Sequence, residues 1–349
     1  MEKIRHGDPD WGSVLTYPSN QRIDIDQSNA DLIVESLDER TMKLWKWEPL
    51  YRGMWVFLAL LLCASSLLIA GLPWVTHARM LAQGRDADLA LLVAWIDAAM
   101  VGVPLMCLLG LLLTPRTANT WICRTTRKVY GSSGLTGLGG WEELNFDSLT
   151  PVSVIERRYH QAGRTTTYSL WLCEVDGSDR ITRRIVAMQP SRLADAPRQT
   201  WEFIRAYMHL PPDQVPPVKL APRGTRWADR VYAVNLRLFG MLVDDETHQL
   251  KGTFNRAFAV FLGAVMYPWE ITAWVLDKVL RARTLPEALQ RVLNQPAVRP
   301  NPYRMQEGGA ADEGKLQAVA RADGWVHALG AALSVVFYGW VVILWMGAN

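Results

Sequence analysis

Thr166–Met188 reads TTYSLWLCEVDGSDRITRRIVAM, two runs rich in β-branched and aromatic residues on either side of a polar turn. Tyr168, Leu170 and Leu172 fall on one face by period two, which predicts a half-buried strand over Thr166–Val175 and a second over Arg180–Met188. The link VDGSD, Val175–Asp179, predicts a hairpin turn in which Gly177 takes positive φ. Trp121–Tyr130 and Val152–Tyr159 share the strand composition, so the chain from Thr114 to about His209 is expected to be a strand-rich soluble domain.

The strands are followed by Asp195, Ala196 and Pro197, a helix start with Asp195 as N-cap. Trp201, Ile204, Tyr207 and Met208 then return at helical spacing, predicting one closing helix over 196–209. A run of strands closed by one amphipathic helix matches the pattern of pleckstrin-homology-like domains, an analogy that does not establish lipid binding. Leu210–Arg223 holds Pro211, Pro212, Pro216, Pro217 and Pro222, a stiff linker expected to end the domain at 115–223. Beyond it Trp227–Val243 reads as helical, Arg299–Arg304 as a loop, and Ala310–Asp323 as a short polar approach to a last apolar block.

Outside this domain the apolar residues collect in solid blocks. Half of the 349 residues are apolar, 20% are charged, 16 are tryptophan and the mean hydropathy is +0.01. Gly and Pro are ordinary in number and there are four cysteines, which excludes a disordered chain, a collagen-like repeat and a disulfide scaffold. Met54–Val75, MWVFLALLLCASSLLIAGLPWV, is an uncharged run of 22 residues; a helix of about 20 crosses a hydrocarbon core. Leu89–Leu113, interrupted by Asp97, and Trp325–Met346 are read as further spans, with Trp55, Trp74, Trp95, Trp325, Trp340 and Trp345 as interfacial anchors. The expected architecture is therefore an α+β membrane protein. A hydrophilic segment at 1–52 precedes a transmembrane helical hairpin at 53–114 with spans 54–75 and 89–113. The cytoplasmic strand-rich domain follows, then a membrane-associated helical region at 224–324 and a C-terminal transmembrane helix at 325–349.

The first fifty residues lack a signal-peptide pattern. Arg40, Lys43, Lys46 and Arg52 precede the first span, Arg79 and Arg85 lie between the spans, and Arg116, Arg124, Arg127 and Lys128 follow. That asymmetry predicts a cytoplasmic N-terminus and middle domain in a bacterial inner membrane. Ala257–Leu276 has the length of a span but holds Pro268 and Glu270, and basic residues flank it on both sides. An in-plane or re-entrant helix pair bent at Pro268 is expected over 257–276, with a fourth crossing as the alternative.

The spacings of hydrolysis, phosphoryl transfer, dinucleotide binding and metal catalysis are not found, so neither an enzyme, a cofactor, a metal nor a nucleic-acid partner is expected. SSGLTGLGG, Ser132–Gly140, leads toward strand-like sequence and reads as a flexible hairpin loop rather than a phosphate cradle. The six histidines, His6, His77, His160, His209, His248 and His327, are dispersed and read as surface or interface residues, and the four cysteines as small core residues. Asp97 and Glu270 are intramembrane polar residues by position, candidates for ion handling against a simpler reading as paired or interfacial groups. Arg180, Arg183 and Arg184 with Arg157 and Arg158 form a basic group that reads as a solvated face or as a site for anionic lipid or an acidic partner.

TTRKVYGSSG, WEELNFDSL, MYPWE and RARTLPEALQRVL, in that order behind a membrane hairpin, resemble a bacterial family of uncharacterised inner-membrane proteins often encoded beside type VI secretion effectors. The resemblance covers about 40–295, its most specific phrase being Arg127, Lys128, Val129 and Tyr130 followed by Trp141 and Leu144. It implies an immunity protein that binds a co-encoded toxin without catalysis, or an accessory that recruits an effector for secretion; an oligomeric channel or transporter is a further alternative. The expected partner-binding element is the hairpin that joins Tyr159 to Tyr168 through QAGRTTT, with Arg157, Arg158, Tyr159, Arg164 and Tyr168 as contact residues, because aromatics and arginines are enriched at binding hot spots. Membrane lipid and one protein are the expected partners.

Overall fold

The structure is a computed structural model. It describes residues 23–45, 53–63, 73–84, 86–113, 119–132, 140–160, 163–221, 227–238, 242–244, 246–279, 284–295, 301–306 and 312–347. The chain divides into two compact units, the first comprising 1–47, 117–256 and 283–325 and the second 48–116, 257–282 and 326–349.

The first unit is α+β with two antiparallel sheets. In one, β1 (Val34–Leu37), β2 (Thr41–Leu44), β3 (Thr120–Cys123), β4 (Lys128–Ser132) and β5 (Trp141–Asn145) lie in sequence order; in the other, β6 (Thr150–His160), β7 (Gly163–Val175) and β8 (Ile181–Ser191) do the same. The N-terminal stretch expected as a separate segment thus supplies two strands, and the apolar helices are inserted between β2 and β3. Val34, Met42 and Leu44 are fully buried in this sheet. Their alternation covers only four residues per strand, with Asp38 and Glu39 in the turn, too short a signal to stand out among acids. The Asp38 carboxylate builds that turn by accepting 2.8 Å hydrogen bonds from the N–H groups of Arg40 and Thr41.

Two expectations about turns are corrected. Trp121–Tyr130 is not one strand but a hairpin, turning through Arg127 at φ 53. In VDGSD the positive φ of 57 belongs to Asp179, not to Gly177. The Asp176 carboxylate accepts from the N–H groups of Ser178 and Arg180, both at 2.9 Å, so an Asx turn sets the geometry, and Asp tolerates the left-handed region better than most residues.

Ile122, Val129 and Leu144 of the first sheet meet Leu170, Leu172 and Ile185 of the second in one core. The closing helix α4 (the elements are numbered in chain order) spans Ala196–His209 and plugs that core with Trp201, Ile204, Tyr207 and Met208. Asp195 stands at its N-cap position without making a side-chain capping bond. The other face of α4 is buried as well: Glu202 and Arg205 are at most 1% exposed and pair at 3.0 Å, and Glu202 also accepts from the Asp24 N–H.

The proline-rich stretch does not end the domain. Val215 and Val218 are buried, the Leu32 N–H donates to the Lys219 carbonyl at 2.8 Å, and the Ala221 N–H to the Val34 carbonyl at 2.7 Å. Proline lacks the donor that a regular strand needs, yet the segment covers the outer edge of β1. Val218 in turn bridges Met305, and Tyr303 is buried against the same core, so the 301–306 loop belongs to this unit too.

The expected polar approach to the last block is helical from Glu313. Leu316 and Val319 pack on Ala228, Val231 and Tyr232 of the helix over Trp227–Leu238; of the expected helix to Val243, residues 239–241 lie outside the described residues and Val243 itself forms an isolated bridge with Leu250. Asp323, fully buried there, accepts from Asn235 (2.8 Å), from the Leu250 N–H (2.9 Å) and from Arg256 (3.2 Å). Three donors offset the cost of removing a carboxylate from water.

The second unit is helical. It contains α1 (Gly53–Cys63), α2 (Pro73–Ala82), α3 (Ala87–Leu113), and the continuations of α6 (Gly252–Val279) and α8 (Glu313–Gly347); α5 (Trp227–Leu238) and α7 (Glu287–Leu293) belong to the first unit. Of the expected span 54–75, residues 64–72 lie outside the described residues. The expected helix pair bent at Pro268 is instead one uninterrupted helix, since a proline removes one donor and leaves the rest of the ladder to carry the helix through. Gly263 and Gly330 let α6 and α8 approach: a Cβ on either would stand within 2.5 Å of the Tyr267 ring, whose hydroxyl is hydrogen-bonded to His327 Nδ1. Among the described residues one helix, α3 over Ala87–Gly110, is long and apolar enough to cross a membrane.

At Gly131 of β4 the first sheet lies close against Ile185 of β8. A Cβ at Gly131 would lie 2.4 Å from Ile185 Cγ2. Gly131→Ala is expected to destabilise the chain by about 1–3 kcal/mol in denaturant titrations, the usual cost of overpacking. Unchanged stability would show that β4 and β8 separate more easily than this packing implies.

Candidate functional site

The strands β6 and β7 pair from Thr150 opposite Cys173 out to His160 opposite Gly163, while β8 joins β7 only as far as Tyr168 opposite Ser191. Beyond Tyr168 the ribbon continues, among the described residues, as two strands alone, and this arm carries the expected contact residues. Its register sorts them. Ile155 faces Tyr168, Arg157 faces Thr166 and Tyr159 faces Arg164, whereas Glu156 faces Thr167 and Arg158 faces Thr165. Directly opposed residues share a face and neighbours alternate, so Arg157, Tyr159, Arg164 and Tyr168 lie on one face of the ribbon and Arg158 on the other.

Of the rest of the expected basic group, Arg183 and Arg184 are engaged within the unit. Arg183 pairs with Glu174 at 2.6 Å and donates to the Glu143 carbonyl at 2.9 Å, and the Arg184 guanidinium lies 4.3 Å from the centre of the Trp171 ring. Arg127 holds the Asp147 carboxyl below the usual carboxylate range through a bidentate hydrogen bond. These arginines brace strands and turns.

A cleft of about 440 Å³ opens at the root of the arm, and Ser191, the partner of Tyr168, is on its wall. One side is the loop Asn29–Ile33 with Trp45; the other is the end of β8, Leu193 and the first turns of α4. Leu32 has φ 60, a strained conformation for a leucine. Hydrogen bonds hold it there: its N–H donates to the Lys219 carbonyl, Asp31 accepts from the Lys219 N–H, and the Asn29 N–H donates to the Gln199 carbonyl. Leu193 on the rim is 70% exposed.

Sequence reasoning missed this cleft because its walls come from stretches far apart in the chain. The one local sign was Leu32–Ile33, an apolar pair beside Asp31 in an otherwise acidic stretch.

The two acidic candidates belong to the other unit. Asp97 lies within α3, inside the apolar window, and Glu270 is buried in α6. Two histidines expected at the surface or an interface are buried: His248, whose ring meets Tyr232 edge-on at 5.3 Å, and His327 beside Tyr267. Among the described residues no group of three His, Cys, Asp or Glu is placed to hold a metal ion. Burial pushes the Cys123 thiol up to about 12, which suppresses the thiolate that nucleophilic or redox work requires.

The arrangement is suited to binding: an arm bearing arginine and tyrosine, rooted beside a partly apolar cleft. Compared with family models, with characterised proteins and with solved structures, the chain matches none.

The register of the arm is directly testable. Opposed residues stand about 4.5–5.5 Å apart at Cα, within the range a disulfide spans. Tyr159→Cys with Arg164→Cys, in a chain without its native cysteines, is expected to lose both thiols on mild oxidation. Arg158→Cys with Arg164→Cys should keep them, and the reverse outcome would shift the register by one residue.

Proposed function

We propose that this chain is a membrane-anchored binding protein whose first unit, pleckstrin-homology-like in its order of strands and closing helix, engages a protein partner. The observation that carries the reading is the surface of the second unit. Trp95, Val103, Met106, Val335 and Val336 are each more than 60% exposed, and only 6% of the apolar window in α3 is buried. Apolar area on that scale is costly in water and is covered at no cost by lipid tails.

With the lysine and arginine asymmetry around α1 to α3, the first unit faces the cytoplasm of a bacterial inner membrane. The family resemblance then supplies the role: an immunity protein that holds a co-encoded toxin through its arm, with no reaction of its own.

Membrane anchoring is tested by alkaline carbonate extraction of cells expressing the chain. It is expected to stay with the membrane, and recovery as a folded soluble monomer would remove the basis of the reading. The binding role is tested by protection of toxin-exposed cells. Because Arg157 and Arg164 share a face of the arm with Tyr159, Arg157→Glu with Arg164→Glu should weaken partner capture about tenfold or more, as loss of hot-spot residues does. Arg158→Glu should matter less, and Asp97→Ala should leave protection intact. Loss of protection from Asp97→Ala at normal abundance would move the activity into the helices.

A further inference from the structure

We infer that the first unit has a lipid contact of its own: Trp227, Phe254 and Trp325 lie at one level and seat this unit in the headgroup layer of the bilayer, where α6 and α8 pass from water into hydrocarbon. The inference rests on the membrane-anchored reading and names the surface of the first unit that meets the membrane.

Helix α8 marks the level. It runs unbroken over Glu313–Gly347, and one face of it is exposed along the way. That face carries Gln317 and Arg321 first, then Trp325, Leu329, Val336 and Trp340, so its exposed residues change from polar to apolar between Arg321 and Trp325. A helix face that stays exposed while its chemistry changes within one turn fits a change of solvent at that turn. Trp345 comes twenty residues after Trp325 on the same helix, about 30 Å by helical rise and the thickness of a hydrocarbon core. An indole at such a boundary buries its ring and keeps its N–H among headgroups.

Helices α6 and α5 reach the same level. Arg256 meets Asp323 at 3.2 Å, and seven residues further along both helices a Cβ on Gly263 would stand 3.4 Å from the Gly330 Cα. The two helices therefore leave the Arg256–Asp323 pair in one direction. Phe254 comes two residues before that pair and Trp325 two after it, which puts them within about 6 Å of each other along the helices. Phe254, Phe258 and Phe261 are exposed at helical spacing, so the outer face of α6 is apolar from Phe254 onward. Trp227, the first residue of α5, lies against Gly324, the neighbour of Trp325: a Cβ there would stand 3.3 Å from the indole nitrogen. Trp227, Phe254 and Trp325 are 56%, 81% and 53% exposed.

Charge agrees with a lipid surface. Arg321 is exposed one turn before Trp325, and Lys251 three residues before Phe254, its ammonium 3.9 Å from Asp244. The carboxylates nearest the two tryptophans in sequence, Asp229 and Asp323, are buried. Cations on the water side of exposed aromatics complement lipid phosphates. A protein that covered the three rings would leave the apolar face of α8 beyond Trp325 bare, whereas a bilayer covers both.

The test places nitroxide labels on the full-length chain, freed of its native cysteines, in nanodiscs of phosphatidylglycerol and phosphatidylcholine. Labels at Arg321→Cys, Trp325→Cys, Leu329→Cys, Val336→Cys, Trp227→Cys and Phe254→Cys are read one at a time by power-saturation EPR. Oxygen concentrates in hydrocarbon and a nickel chelate stays in water. Nickel is expected to relax the label more strongly at Arg321, oxygen more strongly at Leu329 and Val336, and the three aromatic positions should fall at the crossover. Phe254, the most exposed of the three, reads the level even if a label at Trp227 disturbs α5. Labels at Trp227 and Phe254 that match Arg321, while Leu329 and Val336 are in lipid, overturn the inference and leave the anchoring intact. Labels there as deep as Val336 overturn it too, as do labels that neither reagent reaches, which would mean that a protein covers the rings. If nickel dominates at every position, the membrane-anchored reading itself fails.

Discussion

Four backbone pairs, Thr41 with Cys123 through Leu44 with Thr120, hold the first unit together across the whole apolar insertion. Without them β1 and β2 have no sheet to join, and the edge of β3 would stand open. The seam closes a long loop, but the entropy of closure grows only with the logarithm of loop length, and buried side chains repay it. Met42, Leu44 and Ile122, all fully buried, sit on both sides of the seam. The fold therefore depends on the two ends of the insertion emerging close together, which the antiparallel pairing of β2 with β3 secures.

A buried ion pair and a buried carboxylate show how much polar structure this unit tolerates. Glu202 and Arg205 lie one turn apart on α4, and the carboxylate also caps the backbone at Asp24. Asp323 gathers Asn235, the Leu250 N–H and Arg256. Such groups add little net stability compared with apolar residues of equal volume. Their effect is on uniqueness, because a shifted α5 or α8 would leave a buried carboxylate short of donors, a cost of several kcal/mol by the usual penalties.

The long elements were legible in the sequence and the short ones were not. Tyr168, Leu170 and Leu172 announced β7, and Trp201, Ile204, Tyr207 and Met208 announced α4, because each pattern runs through at least two periods. β1 and β2 were hidden: four residues each, interrupted by the acids that form their turn. The linker misled for a different reason. Prolines suggest a boundary, but what decides the place of a segment is whether its remaining groups have partners, and Lys219 and Ala221 find theirs on the loop before β1 and on β1 itself. Helix α6 misled in the same way, since a proline signals a break only where neighbouring turns cannot carry the helix through. The contact residues of the arm could be named from sequence, but their division between two faces required the register, and the cleft required the tertiary fold.

The way the sheet edges are closed explains why recognition would concentrate where the arm is. Four outer strands need covering, and three of them are managed. β1 is lined by the linker. β5 and β8 meet at a corner where Arg183 donates to the Glu143 carbonyl and the Asn145 N–H reaches Glu174. Among the described residues β6 is the terminal strand of its sheet and pairs with β7 alone, and it is this pair that extends past β8 into the arm. Arg157 and Arg158 stand on that strand, and charged residues on a terminal strand discourage indiscriminate pairing with other strands. On the proposed binding role the same charges favour a partner of opposite sign, so a device that guards against aggregation would also bias what the strand binds.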